Sequence, residues 1–363
     1  MHDKTLRAGL IGYGFAGKVF HAPLIRTTPG LAIAAVSSSD AAKVHADLGD
    51  AVTVLDDARA LATSDAVDLV VVASPNNTHF ELARLALEAG KHVVVDKPFT
   101  PTLDEALQLA RLADGRGLVL SVFHNRRWDS STRSAERLLL DGTLGRLRHA
   151  TLHFDRFRPN PQARWKEDAA AGGGVWMDLG PHLLYDALHL FGRPLAIQAD
   201  LPTLRTGAGS HGGALAADNV QARLRYADGL RVDVCASMLA AASGPRLALH
   251  GTRGSYVKPS LDPQEADLKA GKLPGADPAA WGVDAEPGIL RVERDGVLHE
   301  STLATENGAY PEYYRLVRAA ILGQAANPVP PRDAIDVMRL LEAGRRSHAE
   351  RREILLEEVP GLA

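Results

Sequence analysis

Short runs of β-branched residues alternate with helix-like stretches through the N-terminal third of the chain, and this rhythm restricts the fold strongly. The runs are continuously apolar, which is typical of parallel strands that are covered on both faces. The pattern predicts strands at residues 6–11, 32–37, 69–73, 92–95 and 118–122, and helices at 16–27, 41–48, 79–89 and 103–113. This order of elements predicts an open, doubly wound parallel sheet.

The first strand-to-helix turn has the spacing G-x-G-x-x-G at Gly12, Gly14 and Gly17. Glycines at these positions permit a tight turn, close approach of a diphosphate and close packing of the helix. A turn of this kind also occurs without a ligand. Because a predicted strand ends just before it and a helix begins near Phe15, backbone N–H groups and the positive helix end should converge on a diphosphate. We therefore predict a dinucleotide site that includes Gly12, Gly14, Phe15, Ala16 and Gly17.

The end of the second strand bears on the choice between NAD and NADP. An acidic residue about 20 positions after the glycine turn would hold the ribose 2′-hydroxyl of NAD. This chain instead has Ser37, Ser38 and Ser39, with Asp40 slightly late and Lys43 one turn further. Hydroxyl donors and a nearby cation suit a 2′-phosphate, so NADP is favoured over NAD, although the usual arginine is missing. The serines could instead only cap the next helix.

Two further segments lie at predicted strand ends, where open α/β sheets bind their ligands. Lys97 follows one strand, and Pro98 restrains its backbone. A lone lysine is most often a surface charge, but one beside a dinucleotide cleft could polarise a substrate oxygen. The other segment, from Ser74 to His79, follows the strand predicted at 69–73. It should line the nicotinamide ribose, and His79 should start the next helix. Its cofactor-site candidates are Ser74, Pro75, Asn76 and His79, and Asp96 and Lys97 join them.

The pattern changes after residue 123. Strands predicted at 147–155, 221–226, 229–238 and 246–250 alternate apolar and polar residues, which indicates an antiparallel sheet with one buried face. We predict two domains: residues 1–123 form the dinucleotide-binding domain, and residues 124–363 form an α+β domain with a large, mostly antiparallel open sheet, for substrate binding and oligomerisation. Helices are expected at 312–322 and 333–349, the last packing back on the first domain.

The segment after three glycines at 172–174 contains Asp178, Pro181, His182 and Asp186. Pro181 favours the first turn of a helix, which places His182 at the positive helix end, with Asp178 about one turn away. This environment suits a proton-accepting imidazole that Asp178 orients, and an intermediate pKa is expected. The histidine could instead be a packed residue. A metal held by Asp178, His182 and Asp186 is a rival, but further clustered ligands are lacking, so no metal is predicted.

Composition excludes several classes of partner. The chain of 363 residues has 41 Lys and Arg against 44 Asp and Glu, a net charge of −3, so no overall basic field recruits nucleic acid or an anionic membrane. No signal peptide is apparent, and the longest apolar stretches are too short to cross a bilayer. The single cysteine, Cys235, is expected to be buried and inert, and a cytoplasmic location is expected.

Together, the glycine turn, Asp96-Lys97-Pro98 and the segment from the three glycines to Asp178 and His182 resemble the Gfo/Idh/MocA oxidoreductase family. The resemblance implies a Rossmann domain, a C-terminal α/β domain with a large open sheet, and reversible oxidation of a sugar or cyclitol hydroxyl by NAD(P). It also implies that Lys97, Asp178 and His182 are catalytic. His182 would accept the hydroxyl proton, and Lys97 would stabilise the oxyanion. Asp96 replaces the usual Glu of this family.

Two other passages, residues 123–129 and 153–159, look like the branch of this family that includes NADP-linked scyllo-inositol dehydrogenases. A polyol or sugar would be recognised by mixed hydroxyl-binding and stacking side chains. These passages and the next turn supply Arg127, Trp128, Asp155, Arg156, Arg164 and Trp165 as substrate-binding candidates, although each could instead be structural.

Several alternatives stay open from the sequence. The chain could be a dehydrogenase of non-sugar alcohols, such as dihydrodiols, or a sensor that binds NAD(P) without turnover. Residues 258–287 are too rich in proline and glycine for regular structure, and we predict an ordered loop at the substrate mouth or a subunit interface. The open sheet leaves one face to cover, which predicts a homodimer or homotetramer.

Overall fold

The computed structural model describes residues 4–359 except 163, 170–172, 210–211 and 276. Its N-terminal part is a six-stranded parallel sheet in the order β3-β2-β1-β4-β5-β6. The strands are β1 (Leu6–Ile11), β2 (Leu31–Ser37), β3 (Thr53–Leu55), β4 (Leu69–Val72), β5 (His92–Val95) and β6 (Leu120–Val122). The helices are α1 (Ala22–Arg26), α2 (Ala41–Leu48), α3 (Ala58–Ala62), α4 (His79–Glu88) and α5 (Leu103–Arg116).

The predicted doubly wound sheet is therefore confirmed, with the ends of its elements displaced by a few residues. One difference is that the predicted helix at 16–27 begins as a π-helical turn, Gly17–His21, and continues as α1. Another is that β3 and α3 were not predicted. β3 has three residues, none of them fully buried, so it lacks the long apolar run that marks its neighbours.

The C-terminal part is a nine-stranded sheet in the order β14-β13-β12-β11-β7-β10-β9-β8-β15, in which only β7 and β10 pair in parallel among the described residues. This confirms the mostly antiparallel sheet. Its strands are β7 (Leu147–His153), β8 (Ala196–Asp200), β9 (Asn219–Arg225), β10 (Arg231–Ser237), β11 (Leu247–Gly251), β12 (Gly254–Lys258), β13 (Gly288–Arg294), β14 (Val297–Leu303) and β15 (Ile354–Leu355).

The remaining helices are α6 (Ser130–Leu140), α7 (Val175–Asp178), α8 (Gly180–Phe191), α9 (Gln264–Lys269), α10 (Pro311–Ile321) and α11 (Pro331–Glu350). Helix α11 packs on α8 and β8 and also on α5 and β6, so it lies against both sheets. The expected boundary at residue 123 falls one residue after β6 ends.

The region at 258–287 contains α9, so the prediction that it lacks regular structure was wrong. Leu268 of this helix is buried, and the side chain of Gln264 donates to the backbone oxygen of Trp128. Such contacts hold a short helix in a proline-rich segment because packing, not propensity, supplies most helix stability in proteins.

Cys235 is a free, half-buried thiol, and burial raises its pKa to about 11. No helix within the described ranges is both long and apolar enough to cross a membrane. The expected homodimer or homotetramer stays a prediction.

Candidate active site

The glycine turn between β1 and the π-helical turn has three distinct local requirements. Gly12 has φ +92°, a region that favours glycine, and a Cβ there would lie 2.7 Å from the backbone oxygen of Ala73. A Cβ on Gly17 would lie 2.0 Å from the backbone oxygen of Gly12. A Cβ on Gly14 would meet nothing within 4 Å. The outer two glycines thus close the turn, and Gly14 leaves it open to a ligand, as a diphosphate requires.

The end of β2 lies beside this turn. The backbone oxygen of Ser37 accepts from the N–H of Gly12 at 3.1 Å, and Ser38 is partly exposed and Ser39 exposed. The Lys43 ammonium donates to the backbone oxygen of Tyr13 at 3.2 Å, which holds this cation at the glycine turn. The helix cap itself is Asp40, which accepts from the backbone N–H of Lys43. The serines are therefore not needed to cap α2, although the Ser38 hydroxyl accepts from the Asp40 N–H.

The predicted ribose-lining segment follows β4 and borders a cavity of about 130 Å³. Ser74, Pro75, Asn76 and His79 line this cavity together with Asp96, Lys97 and Asp178. The buried Oδ1 atom of Asn76 has no hydrogen-bond partner among the described residues. The His79 ring contacts the backbone oxygens of Ser74 and Pro98 at 3.0 Å each, so it ties two loops together. An unpaired buried acceptor and an open glycine turn fit a bound dinucleotide.

Asp96 and Lys97 follow β5, and the Lys97-Pro98 bond is cis. The Asp96 carboxylate accepts from the backbone N–H of Lys97 at 2.8 Å and faces Nε2 of the fully buried His21 at 3.9 Å. That nitrogen has no hydrogen-bond partner within the described chain. Although burial alone would raise the pKa of Asp96, contact with His21 lowers it. The Asp96 carboxylate thus stops short of a hydrogen bond to His21.

A cavity of about 540 Å³ brings the predicted catalytic residues together. Lys97, Asp178 and His182 line it, and so do Phe15 and Ala16 of the glycine turn. The Lys97 side chain is 18% exposed, and its ammonium donates to the backbone oxygen of Asp178 at 3.1 Å. Burial lowers the pKa of Lys97 below its usual value, against the attraction of Asp178. A lysine from the first domain and a histidine from the second therefore face one space beside the dinucleotide turn.

Asp178 contacts cations, where the sequence led us to expect an imidazole. Its carboxylate accepts from Lys166 at 2.7 Å and from Arg156 at 3.5 Å, and it lies 3.8 Å from the Lys97 ammonium. Burial would raise the pKa of Asp178, but Lys97 and Lys166 hold it below its usual range. The expected orienting contact to His182 is thus replaced, because α7 ends at Asp178 and the chain turns before α8 begins.

His182 lies in the first turn of α8, next to Pro181, as the sequence predicted. The residue is 8% exposed, and its Nδ1 atom has no hydrogen-bond partner in the described part of the chain. Burial first, and then the positive charges of Lys97 and Arg126, lower its pKa well below the usual value. The expected intermediate pKa was wrong, because burial and the neighbouring Lys97, Arg126, His124 and Arg246 all lower the pKa of this ring. The ring is consequently neutral at pH 7.

The chain continues past β7 in an extended form along β10 and alternates its side chains between two faces. Backbone N–H groups of Arg156 and Arg158 donate to Ser237 and Met238. Phe154, Arg156 and Arg158 consequently line the cavity. Asp155 does not line the cavity where the sequence predicted a substrate contact, and its carboxylate accepts from the N–H of Gly244 at 3.1 Å.

Arg127 and Trp128 also lie outside this cavity, contrary to prediction. They belong to a 3-10 turn, in which successive side chains point about 120° apart. Asn125 and Arg126 face the cavity, whereas Arg127 donates to the backbone oxygen of Pro328 and Trp128 packs edge-on against Tyr313 at 5.7 Å. Arg164 lines the cavity and pairs with Glu167 at 3.0 Å. The side chain of Trp165 lies outside the described part of the structure.

Other cavity residues were missed by sequence reasoning. Arg126 contacts Glu265 and lies 3.3 Å from Asp129, and Lys269 also pairs with Glu265. Glu265 and Lys269 come from α9, far away in sequence and without a motif. Arg158 could have been found from the alternation Phe154, Arg156, Arg158, which places all three on one face of an extended segment.

Within the described ranges, no group of three or more His, Cys, Asp and Glu side chains could hold a metal ion. The rival set does not assemble, because Asp186 is buried against Arg246 and Asp178 pairs with cations.

Comparisons with known proteins agree with this architecture. Residues 6–124 match the oxidoreductase family NAD-binding Rossmann fold (GFO_IDH_MocA), and residues 136–356 match the C-terminal alpha/beta domain of that family. The uncharacterized oxidoreductase YdgJ of Escherichia coli (strain K12) is 50% identical over 97% of this chain and 99% of its own. The scyllo-inositol 2-dehydrogenase (NADP(+)) IolW of Bacillus subtilis (strain 168) is 35% identical over 97% of this chain and 96% of its own.

Among solved structures, YPO2259 of Yersinia pestis is 50% identical, with a TM-score of 0.91 over 100% of this chain and 99% of that one. The family resemblance noted from the motifs is thereby confirmed. With both domain families matched in order across most of its length, the chain belongs to the Gfo/Idh/MocA family of NAD(P)-dependent oxidoreductases.

Proposed function

We propose that this protein transfers a hydride between a hydroxyl-bearing carbon of a sugar or cyclitol and the nicotinamide of NADP. One observation carries the proposal: Lys97 and His182, from different domains, line one cavity with Phe15 and Ala16 of the glycine turn. The related IolW is a scyllo-inositol 2-dehydrogenase that uses NADP(+). A cyclitol is therefore the first substrate class to test.

His182 would act as the base in the oxidation direction. A neutral imidazole can accept a proton, and burial together with neighbouring cations keeps this ring neutral. As the substrate hydroxyl loses its proton to His182, the hydrogen on the same carbon leaves with its electron pair. The bound nicotinamide supplies the acceptor for that hydride. In the reverse direction His182 returns the proton to the carbonyl oxygen.

Lys97 would stabilise the developing negative charge on the same oxygen. Its ammonium is fixed through the backbone oxygen of Asp178, so little reorganisation is needed when charge develops. The lysine therefore acts as a prepositioned hydrogen-bond donor. Asp178 serves as a positioning residue, because its carboxylate balances Lys97 and its backbone oxygen fixes the ammonium.

The preference for NADP rests on the end of β2. The Lys43 ammonium is held beside Tyr13, and Ser38 and Ser39 are accessible at the strand end where a ribose 2′-substituent would lie. A cation and hydroxyl donors suit a phosphate better than a bare hydroxyl. The residues that would hold the rest of the coenzyme are the glycine turn and the segment from Ser74 to His79.

The test is a coenzyme titration followed by a substrate screen. We expect NADPH to bind more tightly than NADH, and a change in NADPH absorbance with scyllo-inositol, its 2-ketone, other inositols or aldoses. The screen also contains dihydrodiols and simple alcohols. Turnover confined to those alcohols would replace the sugar or cyclitol assignment. Tight coenzyme binding with no turnover of any compound in this panel, or of sugar and cyclitol acids and phosphates, would contradict a dehydrogenase.

A further inference from the structure

The cavity of about 540 Å³ lined by Lys97 and His182, which we call the central cavity, has an excess of positive charge. Among the described side chains that line it, Lys97, Arg126, Arg156, Arg158, Arg164, Lys166 and Lys269 are cationic, and Asp96, Asp178 and Glu265 are carboxylates. Seven basic groups thus line the cavity with three carboxylates. Asp129 and Glu167, outside the lining, pair with Arg126 and Arg164, which still leaves more cations than carboxylates. Scyllo-inositol and aldoses carry no charge and would add no negative charge to this space.

The three lining carboxylates all have partners, and that of Asp96 is the backbone N–H of Lys97. Asp178 is shared by Lys166, Arg156 and Lys97. Glu265 is shared by Arg126 and Lys269. Asp178 and Glu265 therefore each face two or three cations, and re-pairing within the cavity does not supply a carboxylate for every cation.

The excess is concentrated at Arg156 and Arg158. The Arg158 guanidinium has no ion pair or side-chain hydrogen bond with the described residues, and it is only partly exposed. Arg156 lies over the Phe154 ring, 5.3 Å from its centroid, and reaches Asp178 only at 3.5 Å. Burial, and then repulsion from Arg158 and Arg126, lower the pKa of Arg156. An anion between these guanidinium groups would relieve that repulsion.

The position of this pair favours substrate over coenzyme. Arg156 and Lys97 contact the same Asp178 carboxylate, at 3.5 and 3.8 Å, so the arginine lies near the lysine that would contact the reacting oxygen. Both arginines follow β7 in the C-terminal domain. The coenzyme diphosphate has its own donors, the backbone N–H groups of the glycine turn in the other domain.

We propose that the substrate is an anionic polyol, a sugar or cyclitol bearing a carboxylate or phosphate group that Arg156 and Arg158 bind. This inference rests on the proposed dehydrogenase function and narrows its substrate class. Two arginines can each offer paired donors to such a group, a geometry that suits both carboxylate and phosphate.

The experiment measures the binding of D-glucose, D-glucuronate and D-glucose 6-phosphate, which differ only at carbon 6. Each is tested with the wild-type protein and with the variants Arg158→Gln and Arg111→Gln. Arg111 is an exposed arginine on α5 and serves as the control. For wild type with bound NADPH, we expect at least one anion to raise the thermal unfolding midpoint more than glucose. We expect Arg158→Gln to weaken that binding about tenfold or more, since hydrogen bonds to charged groups are strong. Arg111→Gln should bind the anions like wild type.

NADPH affinity is measured for each variant, because it separates the two sources of anion. If Arg158→Gln weakens NADPH binding as much as anion binding, the arginines serve the coenzyme phosphates and the proposal is overturned. D-Gluconate and inorganic phosphate are tested as two further anions. The proposal is also overturned if glucose, glucuronate and glucose 6-phosphate raise the unfolding midpoint equally. It is likewise overturned if none of the four anions raises it. Turnover of neutral cyclitols without anion binding would contradict this inference and would still support the dehydrogenase function. Anion binding without turnover of any compound would contradict the dehydrogenase function, and with it the claim that the bound anion is a substrate.

Discussion

The two walls of the central cavity are built in different ways. The wall from the Rossmann domain consists of residues at the glycine turn and at strand ends, such as Phe15 and Lys97. The wall from the C-terminal domain consists of residues from five separated segments, which carry Arg126, Arg156, Lys166, His182 and Glu265. The first wall fits the part of the reaction that is common to NAD(P)-dependent enzymes, and the second fits the part that differs between substrates. The residues proposed to bind the coenzyme thus lie in short sequence motifs, whereas those proposed to bind the substrate come from distant segments.

The largest effect is expected at the meeting point of the walls, from His182→Ala. Loss of a general base costs about 10²–10⁴-fold in turnover. We expect kcat to fall in this range while NADPH affinity changes little, because His182 lies on the substrate wall. Steady-state kinetics and a fluorescence titration of NADPH test this, with His250→Ala on the exposed part of β11 as the control. Equal losses in turnover and coenzyme binding would assign His182 to the coenzyme side.

Lys97→Met tests the corresponding residue on the Rossmann wall. Methionine keeps most of the side-chain length and removes the charge. Loss of one preorganised donor to an oxyanion costs about 10²–10³-fold in kcat. We expect that loss, with the fold retained by circular dichroism. An unchanged kcat with a raised KM would show that Lys97 only binds the substrate ground state.

The glycine turn offers a matched pair of substitutions on the Rossmann wall. In Gly17→Ala the new Cβ would lie 2.0 Å from the backbone oxygen of Gly12, so the backbone must shift. We expect the free energy of unfolding to fall by about 1–3 kcal/mol, as is typical of overpacking. Gly14→Ala meets no protein atom and should leave stability nearly unchanged while weakening NADPH binding. Chemical denaturation and coenzyme titration distinguish them, and equal stability losses would contradict this interpretation of the turn.

Lys43→Ala tests coenzyme choice. We expect NADPH binding to weaken about tenfold and NADH binding to stay the same. The substitution removes a charged donor to the 2′-phosphate, and only NADPH carries that group. Isothermal titration with both coenzymes measures the ratio. If both affinities fall equally, Lys43 acts through Tyr13 on the shape of the turn.

The pH dependence should give the smallest effect. His182 must be neutral to accept a proton, and its pKa is lowered well below the usual value by burial and by Lys97. The kcat/KM for oxidation should therefore stay constant as pH falls to about 6.5, the ordinary histidine value, and decline only below it. Since burial lowers the pKa of Lys97, the alkaline decline should begin below the ordinary lysine value. An acid decline centred above the ordinary histidine pKa would contradict the buried, neutral ring.

The contrast between the walls also explains what the sequence could predict. The parallel sheet, the glycine turn and the position of Lys97 follow from apolar runs and spacing within a few residues. β14 was missed because its side chains are almost all exposed and show no alternation. The turn between β13 and β14 nevertheless has the hairpin signal Asp295-Gly296, with φ of 52° and 79°.

Errors at the site have a similar origin. Arg127 was chosen over Arg126 because sequence alone does not show which way a 3-10 turn faces. The partners of Asp178 were not foreseen, because Lys97 and Arg156 reach it from distant parts of the chain. The positions of Glu265 and Lys269 in the cavity depend on how the short helix α9 packs, and no periodic pattern in the sequence predicts that helix.

The most direct test of the central claim is a crystal structure of the protein with NADPH and a slow substrate or product analogue. We predict that the reactive carbon of the nicotinamide lies in the central cavity, with Lys97 and His182 both within hydrogen-bonding reach of the analogue oxygen that faces it. A nicotinamide placed outside this cavity, or an analogue oxygen that contacts neither side chain, would contradict the account.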